Sequence, residues 1–164
     1  MKKINKIELF TDGASWGNPG LAGAGIVIYD ENMKVIKKLG RFIGEATNNV
    51  AEYTALIYGL EEALILGARE IKINLDSQLI ANQLKGSYRV KDKKLKVLFE
   101  QVSRLIQGFK KVEIKNIERE KNKEADRLAA QAIKEVKNRK IPPVETAPRK
   151  MLCQGLKQKE LFSL

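Results

Sequence analysis

Histidine is absent from all 164 residues, and cysteine occurs once, as Cys153. The first absence excludes histidine-ligated zinc, a Ser-His-Asp triad and an imidazole general base. The second excludes an internal disulfide and a thiolate cluster, in keeping with a reducing compartment. No apolar run approaches the roughly 20 residues that a membrane span needs. The opening Met1-Lys2-Lys3-Ile4-Asn5 runs into a strand pattern without the apolar core of a secretory signal. A cytoplasmic location, with no membrane association, is the expectation. Aromatic residues are also scarce, 6% against 43% apolar in total, so the core must be mainly aliphatic, as in an ordinary α/β protein of one domain.

Positive charge is plentiful but unevenly spread. Residues 85–123 carry thirteen Lys/Arg against five Asp/Glu, a balance of +8, whereas residues 1–84 balance at −1. Lysine runs commonly do no more than coat solvated helix faces. Beside acids suited to a metal, the same run is better read as a grip for a polyanion such as nucleic acid.

Periodicity divides the chain into a β-rich start and an alternating remainder. Residues 6–12 read as a strand ending at Asp12, and Gly17-Asn18-Pro19-Gly20 as a turn. Strands at 25–29 and 35–42 follow, joined through Asp30-Glu31-Asn32. From Asn48, with Thr47 or Asn48 as cap, Tyr53, Leu56, Ile57, Leu60 and Leu64 recur at helical spacing as far as Gly67. Ile71, Ile73 and Leu75 alternate with Lys72, Asn74 and Asp76, which ends this strand, and Ser77 caps a short helix to about Leu84. An amphipathic helix runs from about Asp92 through Leu95, Leu98, Val102 and Leu105 to Gln107, and Val112 and Ile114 give a last strand. Asn122 then caps a helix with Ala125, Leu128, Ala129, Ala132, Ile133 and Val136 on its buried side. The order β-β-β-α-β-α-α-β-α implies a mixed sheet, an antiparallel meander followed by two strands reached through helical crossovers.

Four carboxylates stand in distinctive segments: Asp12 in TDGASWGNPG, Glu52 in TNNVAEYTAL, Asp76 in INLDSQ and Asp126 in EREKNKEADRLAA. Each alone is explained by a strand end or a helix start. Four acids brought together repel one another, and divalent cations are the usual remedy. With oxygen as the only ligand type, a hard cation such as Mg2+ is favoured, and Mn2+ is its expected substitute.

In this order, the TDG…GNPG turn, the TNN-x-AE-x-x-AL helix start, the strand-ending DSQ and the R-x-x-N-x-x-AD-x-LA helix resemble type 1 ribonuclease H, over roughly residues 5–138. The resemblance implies a five-stranded sheet of order 3-2-1-4-5 flanked by helices. It also implies an endoribonuclease that cuts the RNA strand of RNA/DNA hybrids with two metal ions, leaving 5′-phosphate and 3′-hydroxyl ends. By the same resemblance Asp12 bridges both metals, Asp126 completes the water-activating one, and Glu52 and Asp76 hold the leaving-group one. Arg119 stands where many relatives have a histidine thought to help product leave; it is too basic to shuttle protons, so its implied role is auxiliary. Asn18, Asn48 and Gln78 match positions that read 2′-hydroxyls, with Thr47 and Asn49 beside them as contacts to the DNA strand. A longer Trp-containing basic protrusion of some relatives is missing, leaving Lys85, Arg89, Lys91, Lys93 and Lys94 as the compact replacement. Trp16 suits either stacking on substrate or covering the core. Two other readings stand beside this one: a weakly active or silent hybrid-binding module, and a nuclease that acts on duplex RNA or branched DNA.

The expected catalytic domain is 1–140. Beyond it Ile141-Pro142-Pro143-Val144 and Ala147-Pro148 cannot continue a helix, and 141–164 reads as a tail whose apolar residues suit docking on the body or a protein partner. A monomer is expected.

Overall fold

The computed structural model describes residues 3–139; the expected tail at 141–164 lies outside them. Strands β1 (Lys6–Gly17), β2 (Gly20–Asp30) and β3 (Val35–Ala46) form an antiparallel meander, and β4 (Glu70–Leu75) and β5 (Lys111–Asn116) add in parallel on the other side of β1. The sheet order is β3-β2-β1-β4-β5, as expected. Between β3 and β4 lies α1 (Asn48–Ile65), and between β4 and β5 lie α2 (Gln78–Leu84) and α3 (Lys93–Ile106). A single 3-10 turn (Arg119–Asn122) leads into α4 (Lys123–Asn138). Among the described residues no helix is long and apolar enough to cross a membrane.

Alternate residues are buried along the start of β1, whereas Ala22 to Ile28 of β2 are buried without a break because both faces of the sheet are covered. Ile7, Leu9, Ile26, Ile28, Ile71 and Ile73 join Tyr53, Leu56 and Leu60 of α1 in one aliphatic core, and each is at most 2% exposed. Tyr53 is sealed there because its hydroxyl donates to Gln83 Oε1 at 2.6 Å, leaving the buried phenol satisfied. The helix starts follow cap chemistry: Thr47, Ser77 and Asp92 side chains accept from the amides of Val50, Ile80 and Leu95.

Helix α4 covers the opposite face, and glycine makes that possible. A Cβ on Gly25 would lie 1.8 Å from the Ala125 carbonyl oxygen, and one on Gly23 would lie 2.4 Å from that of Ala129. With Ala125 and Ala129 buried on the helix side, backbone meets backbone with almost no side chain between. An ion pair of Lys38 with Glu124, at 3.0 Å, ties the start of α4 to β3.

Three expectations change. The first hairpin is longer than expected: β1 runs to Gly17 and β2 begins at Gly20, with Trp16 paired to Leu21 within the ladder, so Trp16 is a strand residue and not a loop residue. Asn122 makes no side-chain cap bond; its amide reaches back into the sheet. Val136 is 38% exposed, because the last turn of α4 has run beyond the residues it packs against.

Candidate active site

Parallel pairing of β1 with β4 runs in register through Phe10 and Asn74, so two residues on, Asp12 and Asp76 emerge side by side at the carboxyl end of the sheet. Glu52 comes down from α1. Its backbone lies so near the strand that a Cβ on Gly13 would sit 2.2 Å from the Glu52 nitrogen, a separation only glycine permits. The Gly13 amide in turn donates to the Glu52 carboxylate. Asp12, Glu52 and Asp76 can each offer an oxygen such that all three lie within 4.8 Å of one another. Asp126, in the first turn of α4, stands outside that tight trio yet lies within hydrogen-bond reach of Asp12 and lines the same cleft. Glu52 is the fifth residue of α1, past its first turn, so the close strand holds it more than the helix dipole does.

Burial and like charge act together on this cluster. Asp12 is 5% exposed; desolvation first, then the charges of Glu52 and Asp76, push its carboxyl up to about 10. Desolvation likewise pushes Glu52 up to about 7, against the pull of its bonds from Asp12 and Gly13 and of the Arg119 charge. Arg119 is in no ion pair with Glu118 or Glu120 among the described residues; it lines the acid cleft. A pocket that resists ionisation when alone, and whose donors are all hard oxygen, fits a divalent cation that would restore all its charges.

Asn122 is the site residue that the sequence left hidden. It is 1% exposed, and its Nδ2 donates both to the Thr11 carbonyl at 2.9 Å and to Asp76 Oδ2 at 3.1 Å. One amide thereby fixes the orientation of Asp76 and joins α4 to β1.

The acid cleft, about 570 Å³, also takes in Trp16, Asn48, Asn49 and Ser77. A second cleft of about 910 Å³ adjoins it through Asn48 and Asn49, with Asn18 and Thr47 on one wall and Lys93 and Lys94 on the other. Asn18 Oδ1 accepts from the Asn48 amide at 3.2 Å, which ties the hairpin tip to the start of α1. Gln78 and Lys91 are exposed and line neither cleft: Gln78 opens α2 just past Ser77, and Lys91 precedes the α3 cap.

These shifts carry a stability test. At pH 3, below the ordinary carboxyl value of 3.8, Asp12 is largely neutral in folded and unfolded chains alike. As pH rises toward its raised folded value, the unfolded chain ionises freely while the folded one resists, so folding loses stability. In chelator, Asp12→Asn should therefore leave the melting midpoint nearly unchanged at pH 3. At pH 8 it should raise it by roughly 3 °C, or about 1 kcal/mol. A variant that melts lower at pH 8 would mean that the acids do not crowd one another.

A family described as reverse transcriptase-like matches residues 10–132. Ribonuclease HI of Halobacterium salinarum is 38% identical over 128 residues, covering 78% of this chain and 64% of that protein. A Mycobacterium tuberculosis protein described as bifunctional is 40% identical over 129 residues, 78% of this chain but 35% of its own length. The chain thus spans about a third of the mycobacterial relatives and somewhat under two thirds of the halobacterial one. Among solved structures, RNase H1 from Halobacterium salinarum aligns with a TM-score of 0.79 at 37% identity, covering 80% of this chain and 99% of that one. LC11-RNase H1 in complex with an RNA/DNA hybrid aligns at 0.76 and 39% identity, covering 79% and 98%.

Proposed function

We propose, from the premise that the chain belongs to the type 1 ribonuclease H family, that it hydrolyses the RNA strand of RNA/DNA hybrids. The observation that carries the reading is the convergence of Asp12, Glu52 and Asp76, with Asp126 beside them, in a cleft bordered by Asn and Lys side chains. Two Mg2+ ions, or Mn2+ in their place, held by these four carboxylates would activate a water and neutralise the leaving oxygen, giving 5′-phosphate and 3′-hydroxyl ends.

The protein's own groups divide the remaining work. Asp12, buried among the other acids, would contribute to holding the cations. Asn122 holds Asp76 in one orientation, so a ligand oxygen is already aimed before substrate arrives. Arg119, exposed at the cleft and permanently charged, suits binding of the departing phosphate and no proton transfer. Asn48 and Asn49 line both clefts; Asn48 with Asn18 would offer short donors and acceptors to 2′-hydroxyls in the wide minor groove of a hybrid, and Asn49 with Thr47 would contact the DNA strand. Gln78, nearby on α2, is placed for the same 2′-hydroxyl readout. Thr47, with Lys93 and Lys94 across the second cleft, faces a strand that the acids do not reach, which suits the uncut DNA phosphates. Lys91 adds general attraction from outside the cleft. Cytoplasmic action on such hybrids, as a monomer, completes the reading.

Substrate class is tested with end-labelled RNA/DNA, RNA/RNA and DNA/DNA duplexes of one sequence in Mg2+. Internal cuts confined to RNA paired with DNA are expected. Equal cutting of RNA/RNA would move the reading to a duplex-RNA nuclease, and tight hybrid binding without cuts would make the chain a binding module.

A further inference from the structure

The acid cleft does not end at the acids. On β1, Asp12, Ala14 and Trp16 alternate onto one side of the sheet, the side on which Gly25 and Gly23, their partners, meet α4. On α4, Asp126, Ala130 and Lys137 lie at spacings of four and seven, one face of the helix. Strand and helix therefore form the two walls of a track that begins with a pair of acids, passes a pair of alanines, and finishes with an aromatic ring and a cation. Its length is about 13 Å along the strand and about 16 Å along the helix, so the walls keep pace. Lys137 Nζ stands 5.5 Å from the centre of the Trp16 ring, within cation-π range, and Trp16 is 41% exposed. Because β4 stops at Leu75, β1 beyond Asp12 pairs within the sheet with β2 alone.

We propose that Trp16 and Lys137 form a contact site for the sugar-phosphate backbone of the RNA strand, away from the bond that is cut. This rests on the reading of the acid cleft as the place where that strand is hydrolysed. The bases of a duplex stack on one another and hide their faces, so an aromatic ring beside the backbone meets the ribose, while the ammonium meets a phosphate. Small side chains at Ala14 and Ala130 leave room for the strand between the acids and the ring. Lys137 covers part of one face of the ring and holds it on the track.

The chain contains one tryptophan, so its emission reports Trp16 alone. The full chain is titrated in chelator with an RNA/DNA hybrid, and binding is followed in parallel by anisotropy of a label on the DNA strand. The expected result is a saturable change in tryptophan emission with the same midpoint as the anisotropy, and at least about a twofold loss of acrylamide quenching. Anisotropy that saturates while emission and quenching stay fixed overturns the contact but leaves the proposed function standing. Absence of binding together with absence of cleavage overturns the proposed function itself. A ring already shielded from acrylamide in the free full chain is covered by something other than substrate, and that too overturns the contact. In steady-state kinetics with Mg2+, Trp16→Ala should raise KM about fivefold to tenfold, more than it lowers kcat, with Trp16→Phe recovering most of the loss. Lys137→Gln should raise KM and reduce the salt slope of binding by about one. An unchanged KM in both variants contradicts the assignment.

Discussion

Replacing Asp76 with asparagine should lower the proposed cleavage of a hybrid's RNA strand by roughly 10³-fold or more, because stabilisation of the leaving oxygen worth several kcal/mol would be lost with one ligand charge. The substitution keeps nearly the same shape, and Asp76 already accepts a bond from Asn122 Nδ2, which an amide oxygen can also accept. Hybrid binding is assigned to other groups, the Asn residues of the α1 start and the lysines of the α3 start, and should persist or tighten slightly as repulsion of the phosphate falls. Single-turnover kinetics at saturating enzyme separates the two effects. A variant that cuts near the wild-type rate while Asp12, Glu52 and Asp126 remain would contradict a shared metal site.

Gly25→Ala should be among the most damaging substitutions in the chain although it is one methyl group and distant in sequence from the four cleft acids. The new Cβ would lie 1.8 Å from the Ala125 carbonyl oxygen, and neither side of that contact is a flexible side chain. Either α4 moves off the sheet or β2 bends. Overpacking of this kind costs about 1–3 kcal/mol and occasionally more, and because both sides here are backbone the upper end is expected. Asp126 adjoins Ala125, so the same displacement takes a carboxylate from the cleft, and cleavage falls further than the loss of folded protein explains. Thermal melting with activity measured on the folded fraction checks both parts. A variant that melts within about 1 kcal/mol of the parent would mean that helix and strand are not held backbone to backbone.

Much of this architecture was legible from alternation alone. Ile71, Ile73 and Leu75 with polar residues between them announced a strand ending at Asp76, and the helical stripe of Tyr53, Leu56 and Leu60 announced the helix that packs on it. Sheet order and the grouping of the four acids came from the resemblance of their segments to ribonuclease H. What stayed hidden was mostly long-range. Ala14-Ser15-Trp16-Gly17 is too short and too poor in β-branched residues to mark a strand by itself; pairing with residues 20–23 across the hairpin makes it one. Asn122 looked like a cap because capping is what asparagine does locally before a helix. Its partners, Thr11 and Asp76, lie 111 and 46 residues away and are set only by the fold. Glycines inside β2 read as weak points of a strand, and their use, letting a helix backbone touch the sheet, appears only once α4 is in place.

The account stands or falls on whether these carboxylates work through a divalent cation on RNA paired with DNA. The direct measurement is cleavage of a hybrid carrying distinct labels on its two strands, with the full chain, first in Mg2+ and then in excess chelator. Internal cuts in the RNA strand alone, abolished by chelator and restored by added Mg2+ or Mn2+, are the expected result. Cleavage that persists in chelator, or that falls equally on the DNA strand, would contradict it.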